Sequence, residues 1–199
     1  MKRITVAAAF AAVSIAFIAC NNNPQTQSAA KATVATPDSK TNTNAPVKAG
    51  VDPKVAANVK EMIGNYLQLK NGLANDNSKD AAAAGKALAD DFVKFDLNLL
   101  TAGQKKSFQD IADDAKEMAE HIGKSADKLE HQREHFDMLS QDMIDLAKLF
   151  GAGQTLFVDH CPMYNNNKGA NWLSETKEIK NPYLGKKMLT CGSIKDELK

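Results

Sequence analysis

The sequence predicts an all-α fold, an antiparallel four-helix bundle with an irregular C-terminal segment packed on it. Three observations carry this expectation. From Val51 to Phe150, apolar residues recur at three- and four-residue steps, the period of an amphipathic helix. Short polar breaks at Asn75-Asp76-Asn77-Ser78, Thr101-Ala102-Gly103 and Gly123-Lys124-Ser125 divide that stretch into four, and short connections favour antiparallel neighbours. After Gly153 the period is lost, and short apolar runs alternate with Asn-, Gly- and Pro-containing turns.

The chain opens with Met1-Lys2-Arg3, an apolar stretch from Ile4 to Ala19, and Cys20. A basic start, a short Ala-rich apolar core and a small residue before a cut site predict a secretory signal peptide over 1–19. Phe17-Ile18-Ala19-Cys20 is similar to a bacterial lipobox, with Phe17 where Leu is usual, and makes Cys20 the candidate lipidation site. A lipid on Cys20 would hold the protein to a membrane without a spanning helix. Residues 20–49 are rich in Asn, Thr, Ala, Pro, Gln and Ser and lack aromatics. They cannot bury enough apolar surface to offset chain entropy and are expected to form a disordered tether. Residues 50–199 are then one domain of ordinary size.

Within it, Asp52-Pro53 is a helix start, a capping side chain followed by proline at the first helical position. Val55, Val59, Met62, Ile63, Tyr66, Leu67 and Leu73 line one face of a helix over about 53–73. Ser78 can cap a second helix, about 79–100, with Leu88, Phe92, Val93 and Phe95 as its large apolar residues. A third, about 104–123, carries Phe108, Ile111, Ala115, Met118 and Ile122, and Gly123 ends it or loosens it. The fourth, about 126–150, presents Leu129, Phe136, Leu139, Met143, Leu146 and Phe150 as a coiled-coil-like seam, with Gln132 the one polar member. Gly151 stops it. In the C-terminal segment, 154–199, Leu156-Phe157-Val158 and Asn171-Trp172-Leu173-Ser174 could form a small hairpin. Trp172, Asn181, Pro182 and Tyr183 read as residues that pack the tail onto the bundle.

The formal net charge is +1, with acidic residues in excess from Val51 to His160 and basic ones from Cys161 to Lys199. Neither part has the clustered basic face that nucleic acid requires. No nucleophile elbow, phosphate loop or Cys-x-x-Cys is present, so the sequence does not read as an enzyme.

The chemistry concentrates in two short stretches, His160-Cys161-Pro162-Met163 and Met188-Leu189-Thr190-Cys191-Gly192. Each holds a thiol and a thioether, the donors that select Cu(I) or another soft ion. Cys161, Met163, Met188 and Cys191 are therefore candidate metal ligands, and Pro162 restricts the backbone between the first two. Equally, export permits a Cys161–Cys191 disulfide, whose loop of about thirty residues would add roughly 3–4 kcal/mol, with the methionines filling gaps in a core. On the fourth helix, His131, His135, Met138 and Asp142 share one stripe, where an i, i+4 His pair can chelate an ion or simply hydrogen-bond its neighbours. His160 would point away from Cys161 in an extended segment. His121 lies near a helix end, where the carbonyl terminus itself favours a cation.

Cys161-Pro162-Met163, Gly169-Ala170-Asn171-Trp172-Leu173-Ser174, Glu178 to Tyr183, and Met188 to Gly192 together resemble the DUF3347 family. So do Tyr66-Leu67-Gln68-Leu69-Lys70 and Gln132-Arg133-Glu134-His135-Phe136 with Leu139-Ser140. Members occur as small Bacteroidetes lipoproteins and as domains appended to CusB-like heavy-metal efflux adaptors. The resemblance implies a periplasmic association with copper or another heavy metal. It aligns Cys161, Met163, Met188 and Cys191 with the family pattern and places His135 in the helical motif. The expectation is a periplasm-facing, membrane-anchored protein that binds Cu(I) or a similar ion, for buffering or delivery to a CusB-like efflux adaptor. The alternative is a non-metal interaction module closed by Cys161–Cys191.

Overall fold

The computed structural model describes residues 48–199. Cys20, the apolar leader and the tether up to residue 47 lie outside the described residues. Four long helices, α1 (Pro53–Ala74), α2 (Ser78–Lys94), α3 (Ala102–Gly123) and α4 (Leu129–Phe150), pack each on the next, and α4 closes back onto α1. The chain then forms β1 (Leu156–Cys161), a left-handed turn over Tyr164–Asn167, β2 (Ala170–Ser174) and β3 (Ser193–Leu198). The expected hairpin is thus one side of a three-stranded antiparallel sheet of order β2-β1-β3. The third strand was not foreseen because its side chains are largely exposed and leave no alternating pattern. No described helix is long and apolar enough to cross a membrane.

Local chemistry accounts for the helix ends. Asp52 caps α1 by accepting from Lys54 N at 2.7 Å. Asn77, rather than Ser78, caps α2, its side chain accepting from Asp80 N. α2 ends at Lys94, short of the expected residue 100, because Phe95 turns extended and stacks on Phe108 of α3 with centroids 4.2 Å apart. Asp96 then caps a 3₁₀ turn over Leu97–Leu99 by accepting from Asn98 N. Val93, expected among the apolar contacts of α2, is exposed. Thr101 and Gln104 form a reciprocal capping box that starts α3 two residues early. α4 begins at Leu129 rather than 126, since Ser125–Lys128 is a hydrogen-bonded turn.

The core is continuous from the bundle into the tail. Tyr66 is fully buried, and its hydroxyl bonds Ser140 Oγ of α4 at 2.8 Å while accepting from Leu173 N of β2 at 3.1 Å. Trp172, Asn181 and Tyr183 are buried, and Tyr183 packs between Phe136 and Tyr164. Gln132, the polar seam residue, donates to Ser78 O and Ile122 O, so it joins α4 to the starts and ends of its neighbours.

Arg133, only 3% exposed, makes the longest reach. Its Nε donates to Pro182 O at 2.8 Å, its Nη2 to Leu73 O at 3.0 Å and to Asp76 Oδ1 at 2.6 Å, and its Nη1 to Glu130 Oε1 at 2.9 Å. One guanidinium therefore ties α4, the end of α1 and the 182–185 turn. Gly185, at φ +53, completes the cradle, since a Cβ there would collide with Asp76 and Arg133.

A second polar cluster sits where α1 meets the sheet. Lys70 is 1% exposed and bonds Glu175 at 2.7 Å, and Asn71 also donates to Glu175. Asp159 is fully buried nearby, with neither carboxylate oxygen hydrogen-bonded. Burial pushes its carboxyl up to about 7, with Lys70 opposing and Glu175 reinforcing the shift.

Two stability measurements follow. Arg133→Met should lower the unfolding free energy by about 3 kcal/mol, the scale for stripping one member from a buried charged network, read as a fall in the urea midpoint at unchanged slope. A loss below about 1 kcal/mol would contradict the anchoring role. For Asp159 the folded group titrates near 7 and the unfolded group near its ordinary acid value. Between those pH values the unfolded chain ionises first, so this residue erodes stability as pH rises through that window. Asp159→Asn should flatten that part of the pH–stability curve and make the protein more stable than wild type at pH 8; equal curves would refute the assignment.

Candidate metal centre

The turn from Lys124 to Lys128 reverses the chain, so the last turns of α3 lie beside the first turns of α4. His121 and His131 stand equally far on either side of Ala126, and the antiparallel pairing brings them together. His135 is one turn further along α4, and Met118 is one turn back along α3. The result is a cluster in which one ligand atom from each of His121, His131 and His135 lies within 4.8 Å of the others. His121 stacks on His135 with centroids 4.6 Å apart and planes within 16°, and His131 meets His135 edge-on at 4.5 Å.

The hydrogen-bond partners determine which nitrogens are available. Met118 Sδ lies 3.3 Å from His135 Nδ1. Sulfur is an acceptor here, so the proton belongs on Nδ1 and the lone pair of His135 on Nε2. Glu134 Oε2, 3.5 Å from His131 Nδ1, likewise favours the proton on that nitrogen and the lone pair on Nε2. These two Nε2 atoms are 3.2 Å apart. Two lone pairs facing each other at that distance repel unless a proton or a cation lies between them. An ion with bonds of about 2.0–2.1 Å to imidazole nitrogen joins two such atoms at a near-tetrahedral angle when they are about 3.3 Å apart. The observed spacing fits. On His121, Glu117 Oε1 lies 3.7 Å from Nε2 and leaves Nδ1 as its natural donor atom.

Electrostatics agree with ligation. Burial first, and then the neighbouring His131 and His121, hold the His135 imidazole below its ordinary value. A cationic His135 would be poorly solvated and would face two more potential cations, so the ring stays neutral and its lone pair available. Further along the same stripe, Met138 is 52% exposed, and Asp142 is pushed up to about 6 by burial and by Asp114 and Asp145.

The soft-donor residues of the tail are placed differently. Cys161 closes β1 and is buried, Cys191 precedes β3, and both are free thiols with their sulfurs 3.6 Å apart. Met163 and Met188 are 49% and 40% exposed. His160 points to the face of β1 opposite Cys161 and meets Asn171 Oδ1 through Nδ1 at 2.9 Å. The structure therefore brings the two cysteines together and joins His131 and His135 into one cluster. It leaves His160 and Met138 outside that cluster.

Sequence reasoning missed His121 and Met118 as partners of the α4 pair. The signal was present, since both lie one turn apart on α3 and mirror the α4 histidines across the connecting turn, but it requires committing to the antiparallel register.

No curated protein and no solved structure matches the chain significantly. Residues 62–155 match the family described as "Protein of unknown function (DUF3347)". That span holds Met118, His121, His131 and His135 and ends before Cys161. The helical bundle that carries the histidine cluster is thus the part of this chain that matches the DUF3347 family.

Proposed function

We propose that the chain is an exported, lipid-anchored copper-binding protein of the cell envelope, which buffers the ion or passes it to a CusB-like efflux adaptor. The 3.2 Å convergence of His131 Nε2 and His135 Nε2, with His121 beside them, carries this reading. Imidazole suits copper in either oxidation state, and Cu(II) binds such donors most strongly among the divalent first-row ions. Met118 and Glu134 act as orienting residues that set the two tautomers, as the outer partners of metal-bound histidines do. In the reduced protein, Cys161 and Cys191 offer a second, softer point of attachment, with Met163 and Met188 as exposed thioethers close by in sequence. A cluster half open to solvent suits exchange of its ion with a partner, whereas a purely structural site is closed. The tether and the lipid on Cys20 would keep that exchange at the membrane surface.

Titration of the full chain with copper tests the reading. Wild type should bind one Cu(II) at the histidine cluster, with nitrogen hyperfine structure in its electron paramagnetic resonance spectrum. Met118→Leu should weaken binding about 10- to 100-fold, and His131→Ala or His135→Ala should weaken it further. Affinity should fall as pH drops through the imidazole range, because ligand protons compete with the ion. Unchanged affinity in both histidine variants would sink the site. With diamagnetic Cu(I) bound at pH 8, ¹⁵N shifts should report His131 and His135 as Nδ1–H tautomers. The Nε2–H form on both rings would refute the orientation argument.

A further inference from the structure

We infer that Cys161 and Cys191 form a thiol–disulfide exchange site that takes small aliphatic disulfides and closes to an internal Cys161–Cys191 bond. This goes beyond the copper reading and does not depend on it. The two sulfurs approach to 3.6 Å as free thiols, and the fold builds that approach from several directions. The β1–β3 register pairs His160 with Ser193, so the chain entering β3 passes the end of β1. Gly192 makes the passage possible: its φ is +144, and a Cβ would lie 2.9 Å from His160 O and from the Trp172 ring. Buried Asn181 fixes the other side. Its Nδ2 donates to Cys191 O at 2.6 Å, its N donates to Leu189 O at 2.7 Å, and its Oδ1 accepts from Tyr183 N and Leu184 N. Cys191 is therefore held beside Cys161 by the backbone rather than by chance side-chain rotation.

The pair is asymmetric, which gives the reaction a direction. Cys161 is fully buried and Cys191 is partly open. Incoming disulfide can reach only Cys191. Its thiolate attacks one sulfur of R–S–S–R, that S–S bond breaks, and one RS⁻ leaves and takes up the proton Cys191 lost. Cys161, losing its own proton, then attacks Cys191 Sγ, and the second RS⁻ leaves as RSH. Two protein thiols are oxidised and one external disulfide is reduced to two thiols. Burial, and then the Cys161 sulfur, hold the Cys191 thiol up, so exchange is slow at neutral pH and accelerates as pH rises. Such a pair suits a bond that stays made. The closed loop contains β2, Trp172 and Tyr183, and the bond would fasten the otherwise exposed β3 to the core. It would also withdraw both thiolates from metal binding and leave the histidine cluster as the ion's site.

The test uses copper-free, reduced full chain with Cys20→Ser, equilibrated with oxidised and reduced glutathione and trapped with acid and a maleimide. Wild type should lose two hydrogens, yield a Cys161–Cys191 cross-linked peptide without accumulating a glutathione adduct, and gain roughly 5–10 °C in Tm. Cys161→Ser should stop at a glutathione adduct on Cys191, while Cys191→Ser should remain unmodified in the folded state. A wild type that stays reduced in excess oxidised glutathione, or that accumulates the adduct, overturns the proposal. So does equal reactivity of the two single variants. Copper binding by the histidine variants is read separately, so failure of one proposal leaves the other standing or falling on its own result.

Discussion

The buried guanidinium of Arg133 is the constraint on which the arrangement of this protein depends. A charge taken out of water must be matched by acceptors on nearly every N–H. Arg133 finds them on Leu73, Asp76, Glu130 and Pro182. Meeting the three that lie outside α4, on Leu73, Asp76 and Pro182, fixes the rotation of α4 about its axis. With Arg133 turned toward the end of α1 and the tail, His131 and His135, roughly half a turn away around the helix, are aimed at α3. Gln132 reinforces the same rotation from the neighbouring position by reaching Ser78 and Ile122. The histidine cluster is thus positioned by polar contacts on the opposite side of the helix that carries it.

The tail is joined to the bundle by the same economy of few, well-placed polar atoms. Tyr66, with its hydroxyl shared between Ser140 and Leu173, brings α1, α4 and β2 to one point. Asn181 shapes the loop that delivers Cys191 to Cys161. Around them Trp172, Tyr183, Phe136 and Tyr164 supply the buried area. Asp159 stands apart as a buried carboxyl without hydrogen-bond partners, pushed up to about 7 by its burial and located beside the Lys70–Glu175 pair. The sheet therefore packs against α1 through an interface that responds to pH. The two candidate sites differ in kind. One is made of rigid helix positions with orienting neighbours, and the other joins a strand end to a shaped loop.

Much of this was legible in the chain itself. Periodicity, Asp52-Pro53 and Gly151 place four helices with ends correct to within a few residues, because burial of an apolar stripe and capping are local demands. The exception, α2, stops early because Phe95 gains more by stacking on Phe108 than by continuing a helix, a preference only α3 can supply. The soft donors were visible as residue types, and the pairing of Cys161 with Cys191 was one of two readings open on spacing alone. What spacing could not convey is that Met163 and Met188 remain at the surface while the thiols meet.

By itself, then, the sequence determined the helical bundle, its antiparallel order and the inventory of donors. Tertiary structure alone decided which donors converge. His121 and Met118 join His131 and His135 only because two helices pair across Lys124–Lys128, and β3 exists only because β1 offers it an edge. The physical reason is one of range. Helix formation and capping are settled within a few residues of the chain, whereas a site needs atoms from distant segments within a few ångströms. That placement is set by buried groups such as Arg133, Tyr66 and Asn181, whose partners no local pattern names.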